Sequence, residues 1–171
     1  MLTLILLRHA KAEPAGPGVD DADRPLAPRG RGDAPRMGAA ISQASFVPDL
    51  ILCSPARRTR ETLELVVPSF GAVIATRLEP AIYEATTARL LAVVRRTPAS
   101  VQRLMLVGHN PGFEELTQDL IRTADKDAAA RLDKKFPTSG LAVLTFEHDS
   151  WAKVTPRSAH MALFTAPRYL D

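Results

Sequence analysis

Arginine and histidine residues stand at or within a few residues of the ends of short apolar segments at several places in this sequence. These residues are Arg8, His9, Arg57, Arg58 and His109. Guanidinium groups and imidazoles, with no cysteine and few carboxylates among them, are suited to holding an oxyanion that carries several charges, and phosphate is the obvious one. The sequence therefore predicts a phosphate site, provided that the fold brings these residues together.

Three short apolar runs precede these residues, and none of them alternates with polar residues as a half-exposed strand would. The runs are 2–7, 49–53 and 103–107. Their composition predicts strands that are covered on both faces, as in a parallel sheet. Helical patterns lie between and after them, over about residues 28–44, from Ser54 and Pro55 to Val67, over 87–96, and after Asn110 with apolar residues up to Ile121.

Strands that alternate with helices predict an α/β fold, a three-layer α/β/α sandwich with a mostly parallel central sheet. Ligands bind outside the carboxyl ends of the strands in such sheets. The ends of the three apolar strands should therefore lie side by side. Arg8, His9, one of Arg57 and Arg58, and His109 would then meet at one edge, although nearly a hundred residues separate the first from the last.

The remaining segments are predicted with less regular structure. Residues 10–28 are rich in proline, glycine and aspartate, which predicts a loop that faces the substrate. Residues 73–76 read as a short strand and 78–85 as a loop, and the alanine-rich residues 124–135 as an exposed helix or a flexible segment. The last strands are predicted at 141–146 and 151–155, joined by a hairpin turn over 147–150.

Composition narrows the classes of function. The 171 residues suit one domain, 1–171, and 22 basic residues are scattered among 19 acidic ones, which argues against nucleic acid as a partner. The single cysteine, Cys53, excludes an intrachain disulfide. No apolar run approaches the roughly 18 residues of a membrane span, and the first run is too short for a signal peptide. We therefore expect a cytoplasmic protein with no membrane partner.

The motifs around these residues resemble the histidine phosphatase superfamily, whose fold is phosphoglycerate-mutase-like. Residues 7–10, Leu-Arg-His-Ala, resemble its opening Arg-His-Gly motif, with alanine in place of glycine. Residues 54–62 resemble its second motif, in which the arginine stands four places after the serine, and this selects Arg58 over Arg57. Residues 107–112 resemble its third motif. The short chain and the segments 24–30 and 82–85 look most like the SixA branch of phosphohistidine phosphatases.

This resemblance implies a mechanism. His9 would be the nucleophile that takes the phosphoryl group and becomes a transient phosphohistidine, and it must be neutral to attack. Arg8, Arg58 and His109 would hold the equatorial oxygens, where stabilising spread charge supplies most of the catalysis of phosphoryl transfer. The resemblance implies neither a metal ion nor another cofactor, because the arginines supply the charge.

The proton donor for the leaving group is less determined. Glutamates after the second motif serve in many members of the superfamily, and Glu79 and Glu84 both lie there. We prefer Glu84, although a clear acid is often missing from SixA-like members. Ser54 is expected mainly as a helix cap, with contact to the substrate as the alternative. Arg24 and Asn110 are further candidates for substrate contact, with ion pairs to the loop aspartates as the alternative for Arg24 and a turn-orienting role as the alternative for Asn110.

Three functions remain open on the sequence. The leading hypothesis is a phosphatase that removes phosphate from phosphohistidine on a protein, such as a carrier or phosphotransfer domain, because the short chain lacks an insertion that could roof the site. The second is a phosphomonoesterase that acts on a small phosphorylated metabolite. The third is a phosphate-binding module without turnover, which gains some support from Ala10 in place of the family's glycine.

Overall fold

The computed structural model of the chain describes residues 1–170. The strands are β1 (Leu2–Arg8), β2 (Leu50–Cys53), β3 (Ala75–Leu78), β4 (Arg103–Gly108), β5 (Ile121–Ala124), β6 (Leu141–Phe146) and β7 (Ala159–Thr165). The helices are α1 (Pro28–Gln43), α2 (Arg57–Val66), α3 (Thr87–Arg95), α4 (Gly112–Leu120) and α5 (Lys126–Lys134). Short 3-10 turns complete the chain, and one of them, Asp21–Asp23, borders the site described below.

All seven strands belong to one sheet, in the order β3-β2-β4-β1-β6-β7-β5. The pairs β3/β2, β2/β4, β4/β1 and β7/β5 are parallel, whereas β6 runs antiparallel to both of its neighbours. The prediction of a mostly parallel sheet is therefore confirmed. In register, Arg8 lies opposite Gly108, and Cys53 opposite Val107. The carboxyl ends of β1, β2 and β4 consequently lie level at one edge.

Helices cover both faces of the sheet, because alternate side chains of the buried strands point into two separate cores. Leu4 and Leu6 of β1 pack in the core beneath α3, α4 and α5. Ile5 and Leu7 pack in the core beneath α1 and α2. This arrangement confirms the three-layer α/β/α sandwich and explains why β1 shows no polar alternation in sequence.

The second half of the sheet differs from the prediction. Residues 151–155 do not form a strand: Trp151–Lys153 is a 3-10 turn, with the Trp151 indole fully buried and its N–H bonded to the carbonyl of Val101 at 2.7 Å. The antiparallel partner of β6 is β7 instead. The predicted hairpin turn is thus a longer connection, because Trp151 is anchored in the core.

Smaller differences concern strand and helix bounds. Strand β3 begins two residues later than predicted and is exposed throughout. Strand β5 was not predicted, and Ile121 begins it rather than ending helix α4. Helix α1 continues through Pro35, and the segment predicted as helical or flexible contains α5. No helix within residues 1–170 is long and apolar enough to cross a membrane.

Candidate active site

The edge formed by the ends of β1, β2 and β4 carries the predicted residues. Arg8 is the last residue of β1, and His9 continues the ladder through a bond from its N–H to the carbonyl of Gly108 at 3.0 Å. The rings of His9 and His109 lie 5.4 Å apart between centroids. Gly108 needs to be glycine, because a Cβ there would come within 2.7 Å of Phe113 and Ile82. The fold therefore brings the two histidines together as the sequence predicted.

The orientation of the His9 ring is fixed by its own chain. Nδ1 of His9 lies 2.7 Å from the carbonyl oxygen of Ala10. A carbonyl only accepts, so Nδ1 carries the proton and Nε2 of the neutral ring holds the free lone pair. The peptide is braced in turn, since the N–H of Ala10 donates to Oγ1 of Thr62 at 2.9 Å. The Ala10 methyl group packs in the core.

Burial first of all, and then the positive charges of Arg58, Arg8 and Arg24, lower the pKa of His9 to about 4, while the bond to Ala10 opposes the shift. The whole His9 residue is only 7% exposed to solvent. His9 is therefore neutral at neutral pH, with Nε2 available for attack. This is the protonation state that a nucleophilic imidazole requires.

His109 is held by a different kind of contact. Its Nε2 lies 2.7 Å from the hydroxyl of Ser54, which follows β2. Burial, and then the charge of Arg58, lowers the pKa of His109 to about 3. The prediction of Ser54 as a helix cap is wrong: α2 begins only at Arg57, without a side-chain cap, because the buried Ser54 hydroxyl faces the imidazole.

Arg8 is braced by the loop that precedes β6. Its Nη1 donates to the carbonyl of Phe136 at 2.9 Å. The side-chain amide of Asn110 donates to the same carbonyl at 3.0 Å, and its oxygen accepts from the N–H of Glu114. Asn110 thus joins the turn after β4 to this loop. This is the turn-orienting role that the sequence left open as the alternative to substrate contact.

Arg58 lies on α2 and is bound to the loop before α1. Nη1 donates to the backbone carbonyl of Asp21 at 2.8 Å, and Nη2 donates to the Asp21 carboxylate at 3.1 Å. The hydroxyl of Tyr83 donates to the same carboxylate at 2.6 Å, and the Tyr83 ring stands edge-on to His109. Neither Asp21 nor Tyr83 was predicted as a site residue from the sequence. The only feature of the sequence that pointed to them is their location, Asp21 in the aspartate-rich loop and Tyr83 in the SixA-like segment 82–85.

Arg24 belongs to the same loop, where it makes the ion pair that the sequence left as an alternative. Its Nη1 lies 3.1 Å from Asp21, and its Nε donates to the carbonyl of Glu13 at 2.8 Å. Its charge is close enough to lower the pKa of His9. Residues 10–28 therefore border the site, with Arg24 and Asp21 at the point of contact.

The two candidate acids occupy different surroundings. Glu79 accepts from the N–H of Ala81 and forms an ion pair with Arg96 at 2.9 Å. Glu84 is exposed, has a φ of 51°, and lines a groove of about 580 Å³ together with His109 and Glu115. Within residues 1–170, neither carboxylate is hydrogen-bonded to His9 or His109. Glu84 is thus the one that borders the site, and Glu79 is held by the scaffold.

Three buried nitrogens of the cluster have no hydrogen-bond partner among residues 1–170. They are Nε of Arg8, Nε of Arg58 and Nδ1 of His109. Buried polar groups are almost always hydrogen-bonded, and the two arginine nitrogens are donors, so this shortage of partners matches a ligand that brings oxygen acceptors. In this part of the chain no group of three or more histidine, cysteine, aspartate or glutamate residues is placed to hold a metal ion.

Comparisons with known proteins agree with this geometry. Residues 4–87 match the model of the histidine phosphatase superfamily (branch 1). An uncharacterized protein of Mycobacterium tuberculosis is 38% identical over 165 residues, which cover 95% of this chain and all of that protein.

Among solved structures, the putative phosphohistidine phosphatase SixA from Agrobacterium tumefaciens is 34% identical, with a TM-score of 0.81 over 97% of this chain and 98% of that one. The putative phosphohistidine phosphatase SixA from Nakamurella multipartitia is 28% identical, with a TM-score of 0.79 over 97% of this chain and 96% of that one. The chain therefore belongs to the histidine phosphatase superfamily, as a phosphatase of the SixA type.

Proposed function

We propose that this phosphatase removes the phosphoryl group from phosphohistidine on a protein, through a phosphohistidine intermediate on His9. The observation that carries the proposal is the state of His9, which is neutral, protonated at Nδ1 and surrounded by Arg8, Arg58 and His109. The similarity to the two SixA proteins supports the choice of substrate.

The reaction has two steps. In the first, Nε2 of His9 attacks phosphorus in line, a P–N bond to His9 forms, and the bond to the substrate imidazole breaks as that ring leaves in its neutral form with a proton taken from solvent. In the second, water attacks phosphorus, the bond to Nε2 breaks, His9 returns to its neutral form with the proton on Nδ1, and inorganic phosphate leaves with the oxygen of the water, whose second proton passes to solvent. Arg8, Arg58 and His109 hold the oxygens on which charge is spread in both steps, a role that the arginines fill without a metal ion.

His109 can act as a donor only in one tautomer. If the Ser54 hydroxyl donates to Nε2, the proton lies on Nδ1, the buried nitrogen that lacks an acceptor. The proposal requires this tautomer, because it directs an N–H at the phosphoryl oxygens. Ser54 then positions His109 and has no contact of its own with the substrate.

The leaving group also favours phosphohistidine. An imidazole titrates near 6.5, so it leaves readily after protonation, whereas an alkoxide requires a positioned acid. Asp21 is the carboxylate bonded to the cluster, and its pKa is lowered to about 2, first by the Tyr83 hydroxyl and then by Arg24 and Arg58, so it is ionised at neutral pH. A small phosphomonoester is the second candidate, and it would depend on Glu84 beside the groove.

Trapping the intermediate tests the proposal. The protein is mixed with a histidine-phosphorylated phosphotransfer domain that carries ³²P, quenched in alkali, in which phosphohistidine survives, and analysed by mass spectrometry. We expect label on His9 in the wild type, none in His9→Ala, and normal labelling in His160→Ala, which alters an imidazole on β7. A His9→Ala variant that dephosphorylates the domain as fast as the wild type would contradict the mechanism.

The substrate is tested separately with aryl phosphates and sugar phosphates. We expect much slower turnover of these esters than of the phosphorylated domain, and no further loss in Glu84→Gln. If a small ester is instead turned over faster than the phosphorylated domain, and this turnover is lost in Glu84→Gln, the substrate is a phosphomonoester and not phosphohistidine.

A further inference from the structure

Asp21 is the residue on which three elements around the site converge. Its carboxylate accepts from Arg58 at 3.1 Å, from Tyr83 at 2.6 Å and, on the other oxygen, from Arg24 at 3.1 Å. Its backbone carbonyl accepts from Arg58 at 2.8 Å. One residue of the loop before α1 thus joins that loop to α2 and to the segment before α3.

The bonds from Asp21 occupy one end of the Arg58 guanidinium. A guanidinium has five N–H donors in a rigid fork. Asp21 takes one from Nη1 and one from Nη2, and Nε has no acceptor in the described part of the chain. One N–H on each Nη and the N–H on Nε are thus left for a second anion, while the bonds to Asp21 determine the orientation of the group.

We propose that Asp21, held by Tyr83, is a positioning residue that orients the Arg58 guanidinium so that its remaining N–H groups face the phosphoryl oxygens. This inference rests on the proposed function, because Arg58 is taken as an oxyanion donor. It assigns to the loop of residues 10–28 a part in the reaction, through a residue that does not touch the substrate.

A fixed anchor, rather than a displaceable competitor for phosphate, is the role that the contacts favour. A carboxylate that left Arg58 would also give up its bonds to Tyr83 and Arg24, and the backbone bond at 2.8 Å would keep the loop in place. The Arg58 side chain is 8% exposed and that of Asp21 45%. The buried Arg58 guanidinium is thus oriented by the more exposed Asp21 carboxylate.

Asp21→Asn tests the proposal, because it removes the charge but nearly preserves the shape. Asp23→Asn is the matched control: Asp23 lies in the same 3-10 turn, is exposed, and makes no side-chain hydrogen bond within residues 1–170. Small misplacements of a binding group can cost about a hundredfold. We expect kcat/KM and the affinity for inorganic phosphate to fall by about ten- to a hundredfold in Asp21→Asn and to stay unchanged in Asp23→Asn.

Tyr83→Phe is the milder variant, since it removes one hydroxyl and leaves the carboxylate. We expect a loss of about three- to tenfold, in line with one hydrogen bond. ¹⁵N NMR of the arginine side chains gives a readout that a general loss of stability would not reproduce. The Nη protons of Arg58 should be resolved in the wild type and averaged in Asp21→Asn, while the melting temperatures of Asp21→Asn and Asp23→Asn agree.

Two results would overturn the inference while leaving the proposed function intact. One is a wild type that labels His9 and binds inorganic phosphate, with Asp21→Asn no worse than Asp23→Asn. The other is tighter phosphate binding by Asp21→Asn than by the wild type, which would make the carboxylate a competitor. A wild type that neither labels His9 nor binds inorganic phosphate would instead overturn the proposed function, whatever the variants do.

Discussion

His9 and His109 are the same residue type, follow adjacent parallel strands and both have a lowered pKa, but their rings are held in different ways. The Nδ1 proton of His9 is bonded to a carbonyl of the next residue, an acceptor that cannot reverse its role. Nε2 of His109 is bonded to the hydroxyl of Ser54, which can donate or accept and comes from another strand.

This difference separates two tasks. A nucleophile needs a lone pair on one particular nitrogen, and a bond to the backbone provides it whatever side chains surround the site. A donor to the oxyanion needs a proton on the nitrogen that faces the ligand, and in the proposed mechanism the Ser54 hydroxyl donates to Nε2 of His109 and leaves that proton on Nδ1. We therefore expect the protonation of His9 to withstand side-chain substitutions around it, and the protonation of His109 to depend on Ser54.

Removing each ring should give the largest contrast. His9→Ala should lower turnover of the phosphorylated domain by roughly 10⁴-fold or more, because no covalent intermediate can form. His109→Ala should lower it by about a hundredfold, as for other oxyanion donors, and still accept label on His9. Single-turnover labelling measures both, with His160→Ala as the control. Equal losses of turnover and of labelling in the two variants would contradict the assignment of His9 as nucleophile and His109 as donor.

Ser54→Ala should have the next largest effect. We expect kcat/KM to fall by about three- to tenfold, because one hydrogen bond is lost and His109 is no longer restricted to one tautomer. ¹⁵N NMR of the imidazole nitrogens should show His109 changing its tautomer distribution, while His9 stays protonated at Nδ1 and serves as the internal reference. An unchanged His109 spectrum would show that Ser54 does not determine the tautomer.

The pH dependence of His9 phosphorylation should differ from that of a free imidazole. Because the neutral ring attacks and the pKa is lowered to about 4, the rate should stay level as the pH falls through 6.5 and drop to half only near pH 4. The pKa of His109, about 3, keeps that ring neutral over the same range. Rapid-quench labelling in alkali checks this, and a midpoint near 6.5 would contradict the effect of burial.

Thr62→Val should have the smallest effect on catalysis and a clear effect on stability. The hydroxyl of Thr62 accepts from the N–H of Ala10 and donates to the carbonyl of Arg58. Its loss leaves a buried N–H unpaired, so the free energy of unfolding should fall by about 1–3 kcal/mol, with turnover changed less than about twofold.

Thr117→Val is the matched control for stability, since the buried Thr117 hydroxyl donates only to a carbonyl of its own helix. Urea denaturation of both variants measures the difference. A Thr62→Val variant as stable as Thr117→Val would show that the bond to Ala10 contributes little.

The first half of the sheet and its histidines were predictable because the strands there are buried on both faces. Uninterrupted apolar runs that end at Arg8, Ser54 and His109 mark both the strands and the site edge, so the gathering of the site followed from parallel topology. Residues 151–155 were mistaken for a strand because an aromatic and a β-branched residue lie close together there. In the structure Trp151 is a single core anchor, and no local pattern distinguishes the two.

Asp21 and Tyr83 could not be found from the sequence for a different reason. Both contacts depend on where the loop of residues 10–28 folds back, 37 residues from Arg58 and 62 from Tyr83. The sequence placed Asp21 among several neighbouring aspartates, and only the three-dimensional arrangement separates it from Asp23. Ser54 was misassigned similarly, because a serine before a proline fits a helix cap locally while its hydroxyl is directed to another strand.

The bond from Arg8 to the carbonyl of Phe136 spans 128 residues of chain. During synthesis the nascent polypeptide exposes Arg8 and His9 first, but the backbone that braces Arg8 leaves the ribosome only after four-fifths of the chain. A truncated chain that contains the first two motifs would therefore carry the nucleophile without a formed pocket. Acquisition of activity would accordingly coincide with completion of the fold.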